Sequence, residues 1–101
     1  LVVMGHSACG AVKATIETLD GGEPTNTDVD ALVAGVTPAV KEAQELGAEG
    51  EELLDVSIQI NVEKIVEKLK VAPVIGEASS LREIKVVGAI YDLATGEVEW
   101  L

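Results

Sequence analysis

The chain has 101 residues, 48% of them hydrophobic, with a formal net charge of −11 at pH 7. This length suits one domain, so we expect a single domain over residues 1–101. The acidic charge argues against binding to nucleic acid or to anionic membranes, because both require clustered Lys and Arg. No apolar run reaches the length of a membrane span. The lone cysteine excludes a disulfide scaffold and indicates a reducing compartment, which we expect to be the cytoplasm or an organelle.

The first half of the chain predicts a strand followed by helices. Residues 1–4 form an apolar, β-branched run that is typical of a strand buried on both faces of a parallel sheet. Residues 5–10 predict a loop, and residues 11–19 carry the apolar spacing of a helix. A polar loop containing Pro24 follows. Asp28 is then a candidate N-cap of a short helix, and Thr37-Pro38 is typical of a second helix start.

The second half predicts a long helix and then a hairpin. Apolar residues on several sides predict a buried helix over about residues 51–70, and Pro73 ends it. Residues 74–81 predict a short helical turn. Residues 84–91 and 97–101 predict two strands, and Gly96 supplies the positive φ that the connecting turn needs.

The order strand, helices, strand, strand indicates an α/β fold, with a parallel-sheet core flanked by helices and a C-terminal β-hairpin. Such a sheet needs more strands than this sequence supplies. The hydrophobic fraction is also high for so short a chain. We therefore expect apolar surface to be covered by another subunit or by a further part of the same protein.

His6 and Cys9 are the residues best suited to bind a soft metal ion. They stand three apart, just after a predicted strand, and sites in open α/β sheets gather beyond the carboxyl ends of strands. Imidazole and thiolate are donors that zinc binds well. The spacing alone leaves a second interpretation open, in which a packed histidine lies beside a buried cysteine. Two ligands also fall short of the three that a catalytic zinc site normally has.

Three segments of the sequence, in the same order, resemble the β-class carbonic anhydrases. Residues 2–14 are similar to the zinc-binding segment of that family, which is an apolar strand, Gly-His-x-x-Cys-Gly and a helix. Asn61-Val62 resembles the start of the family's long helix, and residues 86–96 resemble its late strand and hairpin. Family members also carry an upstream Cys-x-Asp-Ser-Arg segment, which is absent from this sequence.

The resemblance implies a zinc lyase that reversibly hydrates CO₂ to bicarbonate, with zinc-bound hydroxide as the nucleophile. It implies that His6 and Cys9 are two of the zinc ligands, and that the third ligand and the other catalytic groups belong to the upstream segment. It also implies a homodimer or higher homo-oligomer, of which residues 1–101 form one partial domain. We expect these residues alone to bind zinc weakly and to hydrate little CO₂. The alternative is a truncated or degenerate module that binds metal weakly or serves a structural role without catalysis.

Overall fold

The computed structural model describes residues 1–23 and 27–101, and it has α/β architecture. The predicted loop at Pro24 lies outside the described residues. The strands are β1 (Val2–His6), β2 (Val87–Tyr91) and β3 (Val98–Trp100). The helices are α1 (Gly10–Leu19), α2 (Asp28–Glu45), α3 (Gly50–Lys70) and α4 (Pro73–Ser80). None of the described helices is long and apolar enough to cross a membrane.

The chain forms two compact units, one of Leu1–Ser7 with Val62–Leu101 and one of Ala8–Asn61. The first unit contains the whole three-stranded sheet, in the order β1-β2-β3. Strand β1 runs parallel to β2, with Val2 opposite Val87, and β2 runs antiparallel to β3. The parallel pair and the C-terminal hairpin are therefore both confirmed. That residues 1–101 make a single domain stays a prediction.

One face of this sheet packs against the second half of α3. Val62 and Val66 from that helix form a buried cluster with Val86, and Val3 and Ile90 pack against it from β1 and β2. The opposite face of β1 is more open, since Val2 is 44% exposed and Met4 is 53% exposed. The prediction that this strand is buried on both faces is therefore wrong for the described structure, where β1 is an edge strand with a single neighbour.

The hairpin turn forms as predicted. Gly96 has a φ of 76°, and its N–H donates to the carbonyl of Asp92 at 2.8 Å. The Asp92 Oδ1 atom accepts from the backbone N–H of Ala94 at 2.8 Å, which braces the turn from inside. Strand β2 is shorter than predicted and begins at Val87, because residues 81–84 form turns and bends after α4 and residues 85–86 are not part of a strand.

Helix α2 runs through the predicted break at Thr37-Pro38, so the prediction of a second helix start there is wrong. The Thr37 hydroxyl does not cap a new helix, and it donates instead to the Val33 carbonyl at 2.7 Å. Ala39 and Val40 follow directly and are completely buried, and their packing favours a continuous helix over the local effect of proline. The N-cap is Thr27, one residue before the predicted Asp28.

Helices α3 and α4 agree with the sequence pattern. Helix α3 begins within one residue of its predicted start. Its buried residues Leu53 and Ile60 stand seven apart and share one side of the helix, whereas the buried Ile58 lies on another side, so more than one side is buried, as predicted. Pro73 stands at the start of α4, where its missing N–H costs no hydrogen bond.

The buried face of α2 gives a test of the second unit. Val40→Ala is expected to lower the free energy of unfolding by about 2 kcal/mol, because the lost methyl groups leave a cavity in a completely buried position. Val29→Ala removes the same atoms from the same helix where the side chain is 41% exposed, and its effect is expected to stay below about 0.5 kcal/mol. Urea denaturation measures both. Equal urea midpoints of unfolding for the two variants would mean that Val40 does not belong to the hydrophobic core of this unit.

Candidate metal centre

His6 is the last residue of β1 and is exposed. Its Nδ1 atom lies 2.9 Å from the carbonyl oxygen of Ser7. A carbonyl oxygen can only accept a hydrogen bond, so this contact requires the tautomer that carries its proton on Nδ1. The Nε2 lone pair is then available to a metal, and the bond at Nδ1 fixes the orientation of the ring.

Ser7 ties the end of β1 to the end of β2. Its backbone N–H donates to the carbonyl of Tyr91 at 2.9 Å. Its hydroxyl oxygen accepts from the backbone N–H of Leu93, also at 2.9 Å. These two bonds fix the backbone directly after His6. No local sequence pattern indicates this role of Ser7, because its partners Tyr91 and Leu93 lie more than 80 residues away in the chain.

Cys9 is the N-cap residue of α1 and is half-buried, and its thiol is free of any disulfide. Its backbone is extended, with φ −61° and ψ 118°, and its carbonyl accepts from the N–H of Lys13 at 3.0 Å. Its side chain makes no capping hydrogen bond within the described part of the chain. Ala8, which precedes it, has a φ of 53°, so the chain turns sharply between strand and helix.

His6 belongs to the first compact unit and Cys9 to the second. Their joint coordination of one ion stays a prediction that rests on their separation in sequence. The donors are an imidazole and a thiol, and these two donor types fit zinc. Within residues 1–23 and 27–101, no group of three or more His, Cys, Asp and Glu side chains is placed to hold a metal ion. That His6 and Cys9 bind zinc stays a prediction.

The carbonic anhydrase family model matches residues 1–98. The chain belongs to the carbonic anhydrase family. A carbonic anhydrase from Mycolicibacterium smegmatis is 33% identical to it over 100 residues, which cover 98% of this chain and 47% of the relative. Both His6 and Cys9 lie within the matched range.

Solved structures that this chain resembles include carbonic anhydrases of the β class. One is a tetrameric β-carbonic anhydrase from Sordaria macrospora, at 27% identity and a TM-score of 0.82, with 99% of this chain and 50% of that chain covered. Another is the β-carbonic anhydrase of Coccomyxa in complex with acetazolamide, at 26% identity and a TM-score of 0.81, with coverage of 99% and 45%. The predicted fold and the resemblance to the β class are confirmed. The chain spans about half the length of these relatives.

Proposed function

We propose that this chain is part of a zinc-dependent carbonic anhydrase that reversibly hydrates CO₂ to bicarbonate. The observation that carries the proposal is the placement of His6 and Cys9 within the range that the family model matches. His6 ends a strand and Cys9 is the N-cap of the next helix, with two residues between them. An imidazole nitrogen and a thiolate sulfur then serve as two of the protein ligands of the ion.

The residues around the two donors have separate tasks in this proposal. The carbonyl of Ser7 accepts from His6 Nδ1 and holds the ring so that Nε2 can bind the ion. The Cys9 sulfur, when deprotonated, contributes the negative charge that a divalent cation attracts. Zinc, when bound, supplies a Lewis acid that lowers the pKa of water enough to make hydroxide available near neutral pH.

A complete site requires at least one more protein ligand, and we propose that a further part of the same protein supplies it. Residues 1–101 are then one partial domain of a carbonic anhydrase. A homodimer or higher homo-oligomer is also part of the proposal. It is supported by exposed apolar side chains such as Met4 and Trp100, which are 53% and 63% exposed, and by the tetrameric description of the Sordaria macrospora relative. We place the protein in the cytoplasm or an organelle.

The test is a stopped-flow CO₂ hydration assay on the native protein that contains this chain. We expect turnover that a chelator abolishes and that added zinc, but not magnesium, restores. Residues 1–101 alone are expected to bind zinc weakly and to show little turnover, because two donors fall short of the three that a catalytic site needs. A native protein that carries stoichiometric zinc and does not hydrate CO₂ would contradict the proposal and favour a degenerate, non-catalytic module.

A further inference from the structure

A depression of about 450 Å³ in the first compact unit gathers positive charge. Lys70, Arg82 and Lys85 line it, and Ser79 adds a hydroxyl group. The sequence has only seven Lys and Arg residues and a net charge of −11. Three of those seven cations therefore stand around one depression, with Glu83 as the one acidic side chain in its lining. The charge of the lining is opposite to that of the chain as a whole.

The backbone fixes Arg82 in a conformation that arginine rarely adopts. Its φ is 61°, in the left-handed region. The N–H of Arg82 donates to the Ser79 carbonyl at 3.0 Å, and the N–H of Glu83 donates to the Ala78 carbonyl at 2.9 Å. This pattern closes α4 with a Schellman motif, in which Arg82 occupies the position that glycine usually takes. The arginine at this strained position is the single arginine of the sequence.

The other two cations retain charge that can attract a ligand. Lys70 Nζ lies 3.5 Å from Glu67 Oε1, but both side chains are well exposed, so that ion pair is weak. Lys70 and Arg82 also stand at the C-terminal ends of α3 and α4, where positive charge complements the helix dipole. That structural role does not account for Lys85, which belongs to neither helix.

We propose that this depression binds a small phosphate-bearing molecule. The planar guanidinium of Arg82 matches two phosphate oxygens at once, whereas the ammonium groups of Lys70 and Lys85 act as point charges. The Ser79 hydroxyl donates a further hydrogen bond. The volume of about 450 Å³ lies within the range of small-molecule sites and exceeds what a bare phosphate ion needs. This site shares no residue with the proposed zinc site.

The test is a titration of the purified, ¹⁵N-labelled protein with inorganic phosphate, against sodium chloride at matched ionic strength. We expect saturable shifts of the backbone amides of Ser79, Arg82 and Lys85 with phosphate and not with chloride. Arg82→Gly removes the guanidinium and inserts the residue that a Schellman motif prefers, so the fold is retained. Its phosphate affinity is expected to fall about tenfold or more, because a charge-assisted hydrogen-bond pair is lost.

Lys41→Gln is the matched control, since it removes one positive charge from α2, outside the depression. It is expected to leave the phosphate affinity unchanged. Arg82→Lys keeps the positive charge but loses the planar guanidinium that can bond two phosphate oxygens at once, and it is expected to weaken phosphate binding. The proposal is overturned if phosphate produces no saturable shift beyond that of chloride. It is equally overturned if Arg82→Gly and Lys41→Gln bind phosphate alike. Neither result depends on zinc content or CO₂ hydration, so the two proposals fail independently.

Discussion

His6→Ala is expected to remove stoichiometric zinc from the native protein, to less than about a tenth of an equivalent per chain. His6 is the only histidine of the sequence, so no neighbouring imidazole within it replaces the lost donor. The variant would leave Cys9 as the remaining soft donor of this segment. Elemental analysis after dialysis against metal-free buffer measures the loss, and CO₂ hydration should fall with it.

Ser7→Ala is the control for local disturbance at the end of β1. It removes the hydroxyl that accepts from the Leu93 N–H at 2.9 Å, but it leaves both proposed donors and the Ser7 carbonyl in place. We expect it to retain zinc with only a modest loss of stability. Retention of stoichiometric zinc by a folded His6→Ala protein would exclude His6 as a ligand.

Gly76→Ala is expected to destabilise the first unit by about 3 kcal/mol, although alanine normally favours a helix. Gly76 lies inside α4, and a Cβ atom there would overlap the carbonyl oxygen of Lys70. Two further backbone atoms, the carbonyl carbons of Lys70 and Val71, would lie at 3.0 Å and 3.2 Å. Backbone atoms cannot rotate away as the end of a side chain can, so the connection between α3 and α4 would have to shift.

Gly35→Ala is the matched substitution in α2. A Cβ atom at Gly35 would meet nothing within 4 Å, so this variant is expected to gain about 1 kcal/mol of stability from the better helix former. Urea denaturation of both variants compares them directly. If both substitutions changed the free energy of unfolding in the same direction, the close approach between Gly76 and the Lys70 carbonyl would be contradicted.

The parts of the fold that sequence predicts well are those that depend on local chemistry. Helix α3 was predictable to within one residue at both ends, because its apolar residues keep a helical period and Pro73 follows its last turn closely. Gly96 was likewise predictable, because a hairpin turn requires a positive φ there. His6 and Cys9 were predicted as zinc ligands from their chemistry, their spacing and the resemblance to the β class, and that assignment stays a prediction.

The parts that sequence does not predict depend on contacts between distant residues. Pro38 predicts a helix boundary locally, but the complete burial of Val40 favours a continuous helix. The bond between Ser7 and Leu93 joins residues that stand 86 apart in the chain, and no local pattern indicates it. The basic depression could not be predicted from the sequence either, because the overall charge of −11 gives no sign that Lys70, Arg82 and Lys85 lie close together.

The parallel pairing of β1 with β2 has a consequence for biosynthesis. Val2 finds its partner in Val87, so the first strand must wait for most of these 101 residues to leave the ribosome before it can pair. Helices α1 and α2 contact each other over a short stretch of chain and can associate during translation. Until β2 emerges, the nascent protein carries the apolar strand β1 without this parallel partner, and exposed apolar segments are the kind that chaperones recognise.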